Sequence, residues 1–332
     1  MAVVLMRLTL IPPFLARLLQ SAVNAVAIAF IAGASLSGIV VAQVDNVSLA
    51  GEQKVHVPIK VQATALEQPQ DYFVSLLQMI LEESKSEHEV IDIVFSPHDY
   101  SQARWINMVA QDPDDVVMWT MSTKAREQLM QPIRIPLFKG LFSYRVFLIR
   151  KGDQARFDRV KNLNQLRGFV AGQGVQWPDT QILMDNKLSV TTAEHLESLY
   201  RMLKAQRFDY FPRGVSEAWF EVAQRHEKDV VVEKSILLYY PAPMYFFVNK
   251  NNKALAARIE LGFQRIIANG KFDEFFYQHA RVAGALAALK NHSRRLFELH
   301  NPDLPDESLV GVKGYWLSPS FEPDAALPLA PK

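Results

Sequence analysis

The sequence predicts an α/β protein of two lobes joined by two crossover strands. Short apolar, strand-like runs alternate with helical stripes of about ten to fifteen residues, the spacing of parallel βαβ units. Two segments break that rhythm, Leu141–Arg150 and Leu237–Asn249, aromatic and β-branched runs that exceed the usual strand of about five or six residues. Between them lies just enough chain for a small α/β lobe. The expected division therefore gives residues 43–150 and 243–332 to lobe one and 151–242 to lobe two. A single continuous sheet with two long central strands is the alternative arrangement.

Composition narrows the class further. A chain of 332 residues, 49% hydrophobic and 21% charged, has the make-up of a packed globular protein rather than a disordered, collagenous or coiled-coil one. Lys and Arg number 36 against 35 acids, so no net field recruits nucleic acid or an anionic membrane. With no cysteine, disulfides, thiolate-bound zinc, iron–sulfur clusters and cysteine nucleophiles are excluded. No cofactor is expected.

Along the chain, Arg7 and Arg17 precede an uncharged stretch, Leu18 to Val44, that ends in the small or apolar residues Val40-Val41-Ala42. Basic start, apolar middle and small-residue exit are the parts of a cleavable export signal, so residues 1–42 are expected to be removed and the rest to work in the periplasm. A retained membrane anchor is the rival, since the run is long enough to cross a bilayer. Removal takes two arginines and no acid, leaving 34 bases and 35 acids. Phe73, Leu76, Leu77, Ile80 and Leu81 then form a helical stripe. Val90–Phe95 reads as a strand, Ala103–Ala110 as a helix and Asp115–Met121 as a strand. Past the first long run, Gly168–Ala171 is a strand and Val175–Asn186 a helix. Leu196, Leu199, Tyr200 and Leu203 mark another helix, with Thr192 as its candidate N-cap. Phe208–Phe211 and Val230–Glu233 read as strands around a helix over Ser216–Arg225. Beyond the second long run, Leu255 to Ile267 is a helix closed by Asn269-Gly270. The Pro-rich tail after about Asn301 lacks periodicity and is expected to wrap the surface.

Catalytic signatures are missing. The eight histidines show no HExxH or other metal-ligand spacing, and there is no Gly-x-Ser-x-Gly elbow. The carboxylate pairs Glu82-Glu83 and Asp112-Pro113-Asp114-Asp115 fall at a helix end and a turn, where solvated charge is expected.

Four strings, in order between about residues 54 and 282, resemble the bacterial extracellular solute-binding proteins of the polar-amino-acid type (family 3). They are Thr120-Met121-Ser122-Thr123-Lys124-Ala125-Arg126, then Asn164-Gln165-Leu166-Arg167-Gly168-Phe169-Val170-Ala171-Gly172-Gln173-Gly174. Leu203 with Arg207-Phe208-Asp209-Tyr210-Phe211 is the third, and Ile266-Ile267-Ala268-Asn269-Gly270-Lys271-Phe272-Asp273 the last. The resemblance implies a type II periplasmic-binding-protein fold, a monomer whose lobes close on a small-molecule solute. It also implies a non-enzymatic receptor that hands a carboxylate-bearing solute to an inner-membrane ABC permease or reports it to a sensor protein. A dehydratase- or lyase-like enzyme on the same scaffold, and a sensory module, are the other readings. Two departures stand out. Met121 replaces an expected hydroxyl residue, and Phe211-Pro212-Arg213-Gly214 stands where binders of α-amino acids place an acid, unless Glu217 takes that part.

On this reading Arg126 grasps a carboxylate with its planar fork of donors. Ser122 and Thr123 cap the following helix and turn its N–H groups to the same anion. The alternative leaves Thr123 as a surface cap and Arg126 solvated. Gly172-Gln173-Gly174 opens a helix after a strand, so Gln173 and Gly174 offer backbone amides to an anion or carbonyl, and Trp177 is either a stacking platform or a core residue. Trp119, near a strand end, is a candidate wall for a planar ligand part. Arg213 would be a second cationic anchor, favouring a ligand with two anionic groups, or else pair with Asp209 to shape a turn.

Overall fold

The computed structural model describes residues 54–64, 71–98, 100–226, 228–290 and 293–317; the expected leader lies outside them. In chain order the strands are β1 (Val55–Thr64), β2 (Glu89–Ser96), β3 (Val116–Met121), β4 (Met130–Ile133), β5 (Tyr144–Arg150), β6 (Val170–Gly174), β7 (Ser189–Ala193), β8 (Phe211–Gly214), β9 (Val230–Val232), β10 (Ile236–Tyr239), β11 (Met244–Asn249) and β12 (Arg295–Glu298). The helices are α1 (Tyr72–Ser84), α2 (Gln102–Gln111), α3 (Lys124–Leu129), α4 (Gln154–Asp158), α5 (Leu163–Leu166), α6 (Pro178–Asp185), α7 (Leu196–Lys204), α8 (Val215–Gln224), α9 (Lys253–Ala268), α10 (Lys271–Gln278) and α11 (Ala280–Lys290).

The first sheet has the order β2-β1-β3-β11-β4, with β1 parallel to β2 and β3 and with β11 antiparallel to β3 and β4. Its central strands β3 and β11 are buried on both faces, and alternate residues serve opposite layers. Val117, Trp119, Phe246 and Val248 belong to the core shared with α1 and α9, while Met118, Tyr245 and Phe247 pack with Trp105 and Val109 of α2. Asp71 caps α1 by accepting the Phe73 N–H at 3.0 Å, and the predicted stripe, Phe73 to Leu81, is buried. Helices α1 and α9 approach so closely that a Cβ on Gly262 would lie 2.0 Å from the Ile80 carbonyl oxygen.

The second sheet runs β12-β10-β5-β8, with β9 also on β5. The parallel pair β6–β7 joins through a bridge from Ala171 to Tyr210. The two long runs are where the chain passes between sheets, and neither is one uninterrupted strand. Leu237–Asn249 breaks at Tyr240-Pro241-Ala242-Pro243, because two prolines remove the donors a continuous ladder requires. Strand β10, before the break, pairs in the second sheet, and β11, after it, pairs in the first. Leu141–Arg150 opens with a 3-10 turn, Leu141–Ser143, before β5. Since β4 lies in the first sheet and β5 in the second, that crossing occupies residues 134–143. The expected lobe limit at 150/151 thus falls at the end of a second-sheet strand, and the limit at 242/243 falls within the other crossing. The crossings bond to each other, Ser143 accepting the Ala242 N–H on its hydroxyl at 3.0 Å and the Tyr240 N–H on its carbonyl at 3.2 Å.

Several local expectations shift. Thr192 lies in β7, and His195 stands at the N-cap of α7. Pairing of β7 with β6 keeps the chain extended past Thr192. Gln173 and Gly174 end β6 rather than opening a helix; α6 begins at Pro178, whose missing N–H suits a first helical position. The second predicted strand of the second lobe moves from Phe208–Phe211 to Phe211–Gly214.

The chain after α10 makes a third link. Helix α11 packs on α8, and Arg281 donates to the Ser216 carbonyl (3.0 Å) and to Asp71 at the cap of α1 (3.3 Å). Strand β12 adds in parallel to β10. The tail then bonds Asn186, Pro241 and Lys124 in turn, and Leu317 N–H donates to the Lys139 carbonyl at 2.7 Å. Rather than merely wrapping the surface, it touches both sheets' elements and both crossings. Among the described residues no helix is long and apolar enough to cross a membrane.

Candidate functional site

A cavity of about 210 Å³ lies between the two sheets' elements. Gln62, Phe73, Gln102, Trp119 and Arg126 contribute from the first side, and Arg145, Trp177, Asp179, Arg213 and Glu217 from the second. A wider hollow of about 1240 Å³ shares Phe73, Trp119 and Glu217 with it.

The first wall is built by β3 and the short helix after it. Thr123 caps α3, its hydroxyl accepting the Arg126 N–H at 3.2 Å. This sends the Arg126 side chain back over the strand end, where Nη1 donates to Thr120 Oγ1 (2.6 Å) and the Met121 carbonyl (2.9 Å) and Nη2 to Gln102 Oε1 (2.6 Å). Arg126 is therefore buried, 8% exposed, not solvated. Burial pulls its pKa down to about 10, so it remains a cation at neutral pH. Its neighbours are neutral acceptors; among the described residues no carboxylate lies within ion-pair distance. Of the five N–H donors of a guanidinium, Nε and one hydrogen of Nη2 have no acceptor among the described residues. Ser122 does not reach the cavity. Its hydroxyl donates to Glu127 Oε1 (2.6 Å) and its N–H to the Pro243 carbonyl (2.7 Å), tying α3 to the second crossing. Trp119 does line the cavity, stacked on Phe73 with ring centroids 5.1 Å apart.

The second wall departs more from expectation. Arg213 lines the cavity, yet its charge is already matched. Nε donates to Glu221 Oε2 at 3.0 Å, Nη2 bonds Glu221 Oε1, and Glu217 lies 3.3 Å away. Burial alone would lower the Arg213 pKa, but Glu217 and Glu221 outweigh it and hold the guanidinium well above its ordinary range. The expected Asp209–Arg213 pair does not form. Asp209 instead takes Arg156 at 2.8 Å and the Val170 N–H at 2.9 Å. Arg213 points the other way because α8, starting at Val215, brings Glu217 and Glu221 onto one face, four residues apart.

Trp177 is half-buried against the core. It lines the cavity, and it packs near-parallel to Phe211 (15°, centroids 6.2 Å apart) with the Arg213 guanidinium 5.0 Å from its ring centroid. Gly174 lies beneath it, where a Cβ would meet the indole at 2.4 Å. Gln173 is turned inward, accepting the Gly174 N–H at 3.2 Å. Gln173 and Gly174 therefore shape the wall without lining it.

Gln62 and Gln102 escape sequence reading, and so does a charged pair in the cavity wall, Arg145 and Asp179. Arg145 Nε donates to Asp179 Oδ1 at 2.9 Å, and the Tyr240 hydroxyl donates to the same oxygen. Burial opposes ionisation of Asp179, but the Arg145 charge prevails and holds the carboxyl below its ordinary range. An arginine inside an apolar strand run is the one available signal, since a buried charge needs a partner; the partner, 34 positions on, is not marked.

No family model matches the sequence, and no curated protein matches it. Solved structures do. An ancestral arginine-binding protein bound to arginine superposes with TM-score 0.50 at 17% identity, covering 69% of this chain and 99% of its own. An amino-acid ABC transporter substrate-binding protein from Streptococcus pneumoniae, bound to L-arginine, gives 0.50 at 16% identity over 67% and 93%. The ancestral protein bound to glutamine gives 0.50 at 16% over 68% and 98%. At such identities the likeness establishes architecture: this chain has the two-lobe, type II periplasmic-binding-protein fold, and the neighbours that share it are amino-acid-binding proteins.

Proposed function

We propose that the protein is an exported, non-catalytic receptor that captures a small carboxylate-bearing solute, an α-amino acid, in the cavity between its lobes. The observation that carries this reading is Arg126, a buried guanidinium in the cavity wall whose partners are all neutral. A buried charge without a counter-charge is costly, and a ligand carboxylate supplies the missing one. Glu217, on the opposite wall, accepts the Gly214 N–H at 3.0 Å and is shared with Arg213; it takes the ammonium group. Because Arg213 is neutralised by Glu221, a zwitterion suits the cavity better than the dianion that two free arginines would favour. With Arg126 on the helix that follows β3 and Glu217 on the helix that follows β8, a ligand touching both favours closure of one lobe on the other.

The neighbours support the class of solute, being bound to arginine or glutamine, and the Streptococcus protein's role in an ABC transporter supports delivery to a membrane importer. The leader, a monomeric state and a lobe exchange at residues 134–143 and 240–243 belong to the same proposal. The test is a thermal-shift screen of amino acids, since a ligand of the folded state raises Tm by mass action, followed by calorimetry on Arg126→Ala. A charge-assisted hydrogen bond is worth about 1.5–3 kcal/mol, so affinity should fall more than tenfold. Unchanged affinity in a folded variant rejects the assignment.

A further inference from the structure

Arg145 is among the most deeply buried large side chains of the described residues, 1% exposed, and it lines the same cavity as Arg126. Its guanidinium is held in place on two sides, 4.1 Å from the Phe142 ring centroid and 5.0 Å from that of Tyr240. Asp179 meets it with one oxygen. Oδ1 takes Nε at 2.9 Å and lies 2.9 Å from Nη2, and among the described residues neither Nη2 nor Nη1 makes a hydrogen bond. The same Oδ1 also receives the Tyr240 hydroxyl. Buried donors are nearly always matched, and a planar guanidinium matched at one edge presents the other in a fixed direction. Phe142, Asp179 and Glu217, which surround Arg145, all line the cavity.

We infer that Arg145 is a specificity-determining residue, and that the solute is a polar amino acid whose side chain ends in a carbonyl oxygen, a carboxamide or carboxylate, received by the Arg145 Nη atoms. This rests on the receptor reading: the α-carboxylate engages Arg126, and the side-chain oxygen engages Arg145. At this end of the cavity the Arg145 Nη atoms are donors without acceptors among the described residues. A cationic side chain would meet a guanidinium there, and an apolar one would leave the donors unmatched.

The experiment is calorimetric titration of the full chain with L-glutamine, L-glutamate, L-norleucine and L-lysine. The side-chain oxygen should give L-glutamine or L-glutamate at least tenfold tighter binding than L-norleucine or L-lysine. Arg145→Met should reduce that advantage over L-norleucine to less than threefold. Since Arg145→Met strands Asp179, the double variant Arg145→Met with Asp179→Asn is measured alongside, with circular dichroism confirming the fold, and the same loss of discrimination is expected. Binding of L-norleucine or L-lysine as tightly as L-glutamine, or full discrimination retained without Arg145, overturns the assignment while leaving the receptor reading intact. If none of the four binds, and the thermal-shift screen of amino acids is also blank, the receptor reading falls and this assignment with it.

Discussion

The Arg213–Glu221 pair offers the sharpest test of how the second wall is built. Both side chains are largely out of water, 11% and 14% exposed, so solvent screening does little to weaken their contact. Glu221 also accepts the Tyr200 hydroxyl at 3.0 Å. Glu221→Ala leaves the guanidinium facing only Glu217, and Arg213→Met leaves the carboxylate with only Tyr200. Breaking a buried pair from one side costs roughly 3–5 kcal/mol, whereas replacing both partners by apolar residues is often neutral or stabilising. Each single variant should therefore lose about 3–5 kcal/mol in urea unfolding, and Arg213→Met with Glu221→Leu should recover most of it. Tm should fall by on the order of 6–15 °C in the single variants. Burial favours the neutral carboxyl of Glu221, but Arg213 outweighs it and holds the pKa below the ordinary 4.5. A depressed folded-state pKa contributes stability that is complete above the unfolded value of about 4.3 and is lost as pH falls through the folded one. Glu221→Gln should accordingly flatten the acid limb of the stability–pH profile. Single variants costing under about 1 kcal/mol would refute the argument. So would Arg213→Met weakening ligand binding without loss of stability, because that would return Arg213 to the role of a free anchor.

Two glycines test the packing that positions the site. Gly262→Ala in an exposed helix would add about 1 kcal/mol of stability, but here the new Cβ meets the Ile80 carbonyl oxygen at 2.0 Å. The expected result is a net loss of about 1–3 kcal/mol by denaturant titration; a gain would mean that α1 and α9 are not in this close contact. Gly140 lies in the first crossing at φ +77°, with the Trp316 ring 2.2 Å from where a Cβ would sit. Gly140→Ala adds left-handed backbone strain of about 1–2 kcal/mol and pushes Trp316 off, so residues 300–317 should be cut sooner in limited proteolysis. An unchanged cleavage pattern would show that the tail does not depend on this contact.

The parts of the fold that are legible in the sequence are those written in local periodicity. The stripe from Phe73 to Leu81 and the helix from Leu255 to Ile267 repeat at about 3.6 residues and burial follows that repeat, while β3 is an unbroken apolar run buried along its whole length. Strand β1 is hard to read, although Val55-His56-Val57-Pro58-Ile59-Lys60-Val61 alternates, because its lysine and proline dilute the apolar signal. The two long runs mark where the chain changes lobes, yet the position of each break depends on Pro241, Pro243 and the turn at Leu141–Ser143. At the site, Arg126 is legible because its cap, Thr123, lies three residues before it. Arg213 is legible as a charge at the site but not by its partner, since Asp209 is nearer in sequence and Glu221 is nearer in space.

Local pattern alone thus determined several of the helices and strands and the cap ahead of Arg126. Tertiary structure decided which charges cancel: Glu221 takes Arg213, Asp179 takes Arg145 along one edge, and Arg126 is left with neutral partners. The reason is one of range. Backbone preference and amphipathic period act over a few residues, whereas Coulomb attraction in a buried site depends on separations of a few ångströms between groups that the chain brings together only when it folds.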